Sequence, residues 1–295
     1  MDIVLTAAVK LLFHLLRWLP VRLAGGLGAG LGRMAYWLDA RHRRIALRNL
    51  GRIYPSRSLN WRRNTARECF AELGRTLFEL PHVFQRSRDF LLSRIEIEGE
   101  QAFREAYERR RGVLVNACHH SNWELGALMF SVLGYHCAQL YRPLRQPGLD
   151  SFLKRCRERF GTELHSRYQG LRWMTRHLRQ GGVVAMMIDQ HVSNGVPVPF
   201  LGHAANTTTL PAIYAVKYDI PMFGVALLRQ GRAFRFRLRF WSIPLPEKSG
   251  NAARDQQATM AAVNRSFQGL IDERPELWLW MHRRWRILDD AEDVA

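Results

Sequence analysis

Residues 112–126 read GVLVNACHHSNWELG, and this stretch decides the fold. Its first half, GVLVNA, is a short apolar run of the kind that forms a buried strand. Its second half turns polar at His119 and then opens a helix at Ser121 or Asn122. The same sequence of events recurs further along. GGVVAMMID at 181–189 is a second buried strand, with Gly181 and Gly182 ending the helix before it. RIEIEG at 94–99 alternates apolar and charged residues, as a half-exposed strand does. Phe223–Leu228 and Phe234–Trp241 complete the strand candidates. Helical patterns fall between them at 122–133, 149–160, 169–180 and 205–217, and upstream at Arg41–Leu50 and Trp61–Leu80, with Pro55 and Pro81 as breaks. Strands alternating with helices predict an α/β fold, a central mainly parallel sheet flanked by helices. Sites in such sheets form beyond the carboxyl ends of strands. The two most polar ends are CHHSNWE after GVLVNA and DQHVSNG after VVAMMI.

The 295 residues suffice for one sizeable core, and no repeat or Pro/Gly/Ser-rich linker divides them. The formal charge is +18, and every base except Lys10, Lys154, Lys217 and Lys248 is arginine. Such an excess suits an anionic membrane, a phosphorylated substrate or nucleic acid. Met1–Asn60 holds ten of the bases against Asp2 and Asp39. Within it, Lys10, His14 and Arg17 recur on one face of an otherwise apolar helix at Ile3–Leu19, a pattern that places the helix in or through a lipid interface. Residues 1–24 are therefore expected to be a membrane-anchoring helix and 25–295 the main domain, on the cytoplasmic side of the membrane. The four cysteines, Cys69, Cys118, Cys137 and Cys156, show no paired spacing, so free thiols and no metal site are expected.

In NACHHSNWELG the chemistry lies in histidine and carboxylate. A histidine titrates near neutral pH and can take a proton from a hydroxyl, and a carboxylate beside it holds the tautomer and stabilises the imidazolium. Helix spacing would pair His120 with Glu124, four residues apart, whereas His119 can meet Glu124 only from outside the helix. Ser121-x-x-Glu124 is also a capping box, in which the glutamate would simply bond the cap backbone. A metal hydrolase on His119, His120 and Glu124 lacks a fourth ligand.

NACHHSNWELG resembles the H-x-x-x-x-[D/E] motif of the lysophospholipid acyltransferase superfamily, and most of all its late lipid A acyltransferase branch. RHRRIALRNLGRIYP at 41–55, Tyr141-Arg142-Pro143, Asp189-Gln190 with VPVPFLGHAANTTT at 196–209, and LWLWMHRRWR at 277–286 are similar to the branch's other blocks, in order. The resemblance implies a glycerol-3-phosphate acyltransferase-like fold and no cofactor. It assigns His119 as catalytic base with Glu124 its partner, and Asn122, Arg142, Asp189 and Gln190 to substrate binding. It implies an acyl carrier protein donor and a phosphorylated glycolipid acceptor, the Kdo-bearing lipid A precursor, with a lauroyl-type chain transferred. Arg145 and Gln146 stand where the branch usually has an acid and Asn, and Phe200-Leu201-Gly202 stands for its F-F-G. The same chemistry on a lysophospholipid or another glycolipid acceptor is the nearest rival. A basic membrane- or nucleic-acid-binding protein without catalysis explains the charge but not these blocks, and no nucleic-acid partner is expected. Arg283, Arg284 and Arg286 among Trp280 and Trp285 read as an interfacial aromatic-basic cluster, and Thr207–Thr209 as a helix cap.

Overall fold

The computed structural model describes residues 2–292. Nine strands form in chain order: β1 (Ile95–Glu98), β2 (Val113–Ala117), β3 (Cys137–Tyr141), β4 (Glu163–Ser166), β5 (Val183–Met187), β6 (Val196–Phe200), β7 (His203–Thr207), β8 (Met222–Arg229) and β9 (Phe236–Ile243). Seven of them build one sheet in the order β1-β9-β8-β2-β5-β3-β4, and β6 and β7 form a separate antiparallel hairpin. Five neighbours, β8, β2, β5, β3 and β4, run parallel. β9 is antiparallel to β8 and carries β1 parallel to itself. The fold is thus α/β around a mostly parallel sheet.

The apolar run of β2 follows from its central place. Leu114 faces one core cluster, while Val113 and Val115 face the other, and all three are fully buried. Helices cover both faces, so the strand is shut off from water from Val113 to Asn116 and opens only at Ala117. The helix Trp123–Val132 lies on the Val113 side, and the helices Arg172–Arg179, Leu210–Tyr218 and Ala252–Ser266 lie on the other.

The N-terminal third is helical: α1 (Asp2–Leu16), α2 (Val21–Leu38), α3 (Ala40–Ile53) and α4 (Leu59–Gln85). The expected boundary at residue 24 falls inside α2. Nor does α1 stand apart, because Phe13 and Leu16 are buried, with Phe13 against Phe84 and Phe152. α2 meets α4 backbone to backbone. A β-carbon on Gly28 would collide with the carbonyl of Gly74, and one on Gly74 with the carbonyl of Gly28. Only glycine permits this approach. Among the described residues no helix is long and apolar enough to cross a membrane. The outer faces of α1 and α2, with the turn between them, nevertheless expose Ile3, Leu11, Trp18, Leu27, Trp37 and Leu38.

Three local expectations differ from the structure. Pro81 lies inside α4 and does not end it; the helix runs on to Gln85. The helix expected at 205–217 begins at Leu210, because 203–207 pairs with β6 instead. Most of the closing Trp/Arg segment is core: Trp278, Trp280, Arg284 and Trp285 are essentially inaccessible, while Arg283 is half-buried and Arg286 is exposed.

Candidate active site

The register between the two central strands creates the site. Ala117 of β2 pairs with Met187 of β5, so His119 and Asp189, each two residues beyond, emerge side by side. Asp189 Oδ1 lies 2.8 Å from His119 Nδ1, and Asp189 Oδ2 accepts the His119 backbone N–H at 2.7 Å. The indole N–H of Trp278 donates to the same Oδ2 at 2.8 Å. Asp189 is 2 % exposed, so these contacts occupy it fully. Burial alone would raise its carboxyl, but the His119 ring and the donated hydrogen bonds bring it down to about 2. Burial in turn pulls the His119 imidazole down, while the charge and hydrogen bond of Asp189 more than compensate and leave it above its usual value. With Nδ1 committed to Asp189, Nε2 is the nitrogen that can accept a proton, and Gln190 Nε2 is 3.4 Å from it.

The turn that carries His119 is pinned from the C-terminal segment. His120 bridges to Trp278, Leu279 N–H donates to the His119 carbonyl, and Ser121 N–H donates to the Leu277 carbonyl. Ser121 adopts φ 54°, a left-handed conformation that costs about 1–3 kcal/mol and is characteristic of active sites. Arg284 holds the second strand end by donating to the carbonyls of Gln190 and Asn206. The closing block thus fastens both strand ends that carry His119 and Asp189, a role its basic-aromatic composition hid.

The carboxylate expected beside His119 is elsewhere. Both oxygens of Glu124 are held by Arg157, at 2.6 and 2.8 Å, and not by the His119 ring. The reason is helix geometry: Glu124 sits in the first turn of Trp123–Val132 and points across to the helix Pro147–Arg157. It does not form the capping box either, because Asn122 is the N-cap and accepts the N–H of Leu125. Asn122, expected to contact substrate, is fully buried and donates to Glu79 Oε2 of α4 at 3.1 Å. Glu79 is bound in turn by Arg229, which also holds Glu72, so the helix start is anchored to a buried ionic network. Asp189 is likewise a buried group that orients His119. Gln190 and Arg142 are the two expected binding residues that face open space. Arg142 is exposed, and no carboxylate among the described residues pairs with it. His120 is 1 % exposed, and burial holds its imidazole down near 4, a neutral core histidine. Of Thr207–Thr209, Thr208 accepts the N–H of Leu210 at the helix start, and Thr207 is bonded to Arg284.

His119 opens onto a cavity of about 510 Å³ that runs beneath the helix Trp123–Val132 across β8, β2, β5 and β3. The size lies in the range of small-molecule sites, roughly 300–1,000 Å³. Its walls are apolar, with Ala127, Phe130, Leu140, Ala185, Val225 and Leu227 lining the interior. Its charged lining comes from Glu124, Arg142 and Arg157. Trp123 packs edge-on to the His119 ring at 5.2 Å. An ordered base at the mouth of an apolar pocket suits attack by a hydroxyl on the carbonyl of a group with a long hydrocarbon tail. No serine or cysteine nucleophile is required, and Cys118 is buried, with its thiol driven well up by that burial.

Residues 2–287 match the family described as bacterial lipid A biosynthesis acyltransferase. The chain belongs to that family. This acyltransferase is 27 % identical over 271 residues to the lipid A biosynthesis lauroyltransferase of Escherichia coli, covering 91 % of this chain and 87 % of that one. It is 23 % identical over 290 residues to a lipid A biosynthesis acyltransferase of Haemophilus influenzae, covering 95 % and 87 %. The E. coli lipid A biosynthesis myristoyltransferase is 24 % identical over 260 residues, covering 86 % and 78 %. The enzyme is therefore an acyltransferase of lipid A biosynthesis.

Proposed function

We propose that the enzyme moves a lauroyl-type acyl chain from acyl carrier protein to a hydroxyl of a phosphorylated glycolipid, the Kdo-bearing lipid A precursor. The observation that carries this reading is His119, fixed through Nδ1 by Asp189 and open through Nε2 to an apolar cavity. The cavity takes the acyl chain. His119 Nε2 accepts the acceptor hydroxyl's proton as its oxygen attacks the thioester carbonyl, and Asp189 stabilises the imidazolium. Collapse of the tetrahedral intermediate breaks the C–S bond, and the proton returns to the departing thiolate. Arg142 at the rim is the group to meet an acceptor phosphate, since a guanidinium matches phosphate in shape and charge. Gln190, beside Nε2, is placed to contact the substrate hydroxyl.

The reaction takes place at the cytoplasmic face of the inner membrane, with the exposed apolar faces of α1 and α2 immersed in the interface. Arg17, Arg22, Arg41 and Arg44 around them meet anionic headgroups at about 1 kcal/mol each. α1 also packs against the helix Pro147–Arg157, where Asp2 accepts the N–H of Gly148. That helix carries Arg157 into the cavity wall, so the lipid-facing surface adjoins the site.

The test is acyl transfer by purified protein to the tetraacylated Kdo-lipid A precursor, with 12-, 14- and 16-carbon acyl carrier protein thioesters offered in turn. Product is expected with the 12-carbon donor most of all and is lost in His119→Ala. A folded wild-type protein that makes no product from any of the three donors overturns the donor and acceptor assigned here.

A further inference from the structure

At the end of the sheet opposite His119, three potential metal ligands converge. His136 immediately precedes β3, Glu163 begins β4, and His177 lies in the helix Arg172–Arg179 that feeds β5. His136 Nε2 is 2.9 Å from Glu163 Oε1, and His177 Nδ1 is 3.9 Å from the same oxygen. One donor atom from each of the three residues lies within 4.8 Å of the other two. None of the three lines the cavity that holds His119.

Second contacts organise these donors. His177 Nε2 is 3.2 Å from the backbone carbonyl of His136. A carbonyl only accepts, so Nε2 carries the proton and Nδ1 presents its lone pair to Glu163 and His136. An outer carbonyl fixing the tautomer of a ligand histidine is the usual arrangement at metal sites. His165 Nε2 is 3.4 Å from the other oxygen of Glu163 and steadies the carboxylate, while its own ring stacks on Trp173 at 4.0 Å. Gly182 has no β-carbon, and one there would collide with the His177 ring. The His136 and His177 rings stand 4.2 Å apart, an approach that two imidazolium cations would resist and a shared cation would favour.

We infer that His136, Glu163 and His177 form a binding site for a divalent ion of the zinc type. Bonds of 2.0–2.1 Å in tetrahedral geometry put ligand atoms about 3.3 Å apart. The observed 2.9 and 3.9 Å straddle that spacing, so the ion seats by small side-chain movements. Two imidazoles and one carboxylate supply three ligands, and water completes the fourth. The sequence offered no sign of this site, because its members are 27 and 14 residues apart and include no cysteine. The site joins β3, β4 and the helix before β5. β4 is a four-residue edge strand paired with β3 alone, so it gains most from the link.

The experiment uses the full-length protein in detergent, stripped with chelator and titrated calorimetrically with Zn²⁺ alone. Co²⁺ is then added to a second sample to record the visible absorption of a tetrahedral site. One equivalent is expected to bind, with a rise in Tm that follows occupancy. His136→Ala and Glu163→Gln, both at solvent-exposed positions, should each weaken binding at least about tenfold. His119→Ala, remote from the site, should bind as wild type does. Absence of a stoichiometric site in the folded wild-type protein overturns the inference. So does binding that survives both His136→Ala and Glu163→Gln, or that disappears in His119→Ala.

Discussion

Asp189 Oδ1 sits 2.8 Å from His119 Nδ1, although seventy residues of chain separate the two. Glu124, only five residues from His119, is turned away and bound at both oxygens by Arg157. The carboxylate that sets the tautomer of the base is therefore the one brought by the neighbouring strand. Asp189→Asn should consequently lower kcat by about 10²–10⁴-fold with little change in KM, since the ring loses its orientation and its counter-charge. Steady-state acyl transfer checks this. A variant that retains wild-type kcat would mean that Asp189 does not serve the base.

The pH profile should carry the same signature. His119 acts as base only when neutral, and its imidazole titrates above the usual 6.5 because Asp189 outweighs burial. Activity should therefore fall on the acid side with a midpoint above 6.5, and Asp189→Asn should move that midpoint to lower pH. A profile with an unshifted acid limb in the variant would remove Asp189 as the cause.

Stability should follow the pair as well. Asp189, lowered to about 2, stabilises the fold above its unfolded value of about 3.9, and that contribution is lost as pH falls toward 2. His119, raised, stabilises below about 6.5 and loses the contribution as pH climbs through its folded value. Both act together between about pH 4 and 6.5. The Tm difference between wild type and His119→Ala should be greatest in that window, measured by thermal melts across pH.

Glu124 and Arg157 form a mostly buried pair whose value is testable by a double-mutant cycle. Glu124→Gln, Arg157→Gln and the double variant should reveal a coupling of about 0.5–3 kcal/mol in unfolding free energy. Glu124→Gln should shift the acid limb of activity less than Asp189→Asn does, because Glu124 is the weakest of the influences on His119. An equal or larger shift would return the orienting role to Glu124.

Gly126 lies on the cavity wall, where a β-carbon would touch that of Leu227 at 3.4 Å. Gly126→Leu fills space meant for hydrocarbon while favouring the helix by about 0.5–1 kcal/mol. It should retain its fold and shift the preferred donor to a shorter chain, read from the product distribution over a series of acyl chain lengths. An unchanged preference would mean that the chain lies elsewhere.

The sheet's centre was legible because β2 and β5 are apolar on both faces and end in sharply polar turns. β3 and β4 were not, since CAQLY is interrupted by Gln139 at its centre with only its first two positions buried, and ELHS is a four-residue edge with only two buried positions. Within the site, the sequence picked out His119, Glu124 and Asp189 but could not tell which carboxylate meets the ring. Proximity along the chain favoured Glu124. Proximity in space depends on the Ala117–Met187 register, which no local pattern encodes. The closing LWLWMHRRWR misled for a related reason: arginine beside tryptophan describes a lipid interface as readily as a buried clamp. Arg284 is inside because it donates to the carbonyls of Gln190 and Asn206 and to Thr207 Oγ1, with its guanidinium over the Phe200 ring.

The backbone contact of Gly28 with Gly74 has a mechanical consequence. Side chains between helices act as bearings that allow sliding and rolling; at this crossing the backbones touch directly, and the Arg33–Glu68 ion pair and the Tyr36–Phe70 ring contact tie the same two helices further along. α2 and α4 therefore move as one girder, and α4 reaches the helix that begins at Trp123 through Glu79 and Asn122. On the proposed seating of α2 in a lipid interface, a tilt of α2 would carry the start of that helix with it. The roof of the cavity beside His119 would then be set by the lipid, and chain selection should respond to membrane composition without any change in the residues that line the pocket.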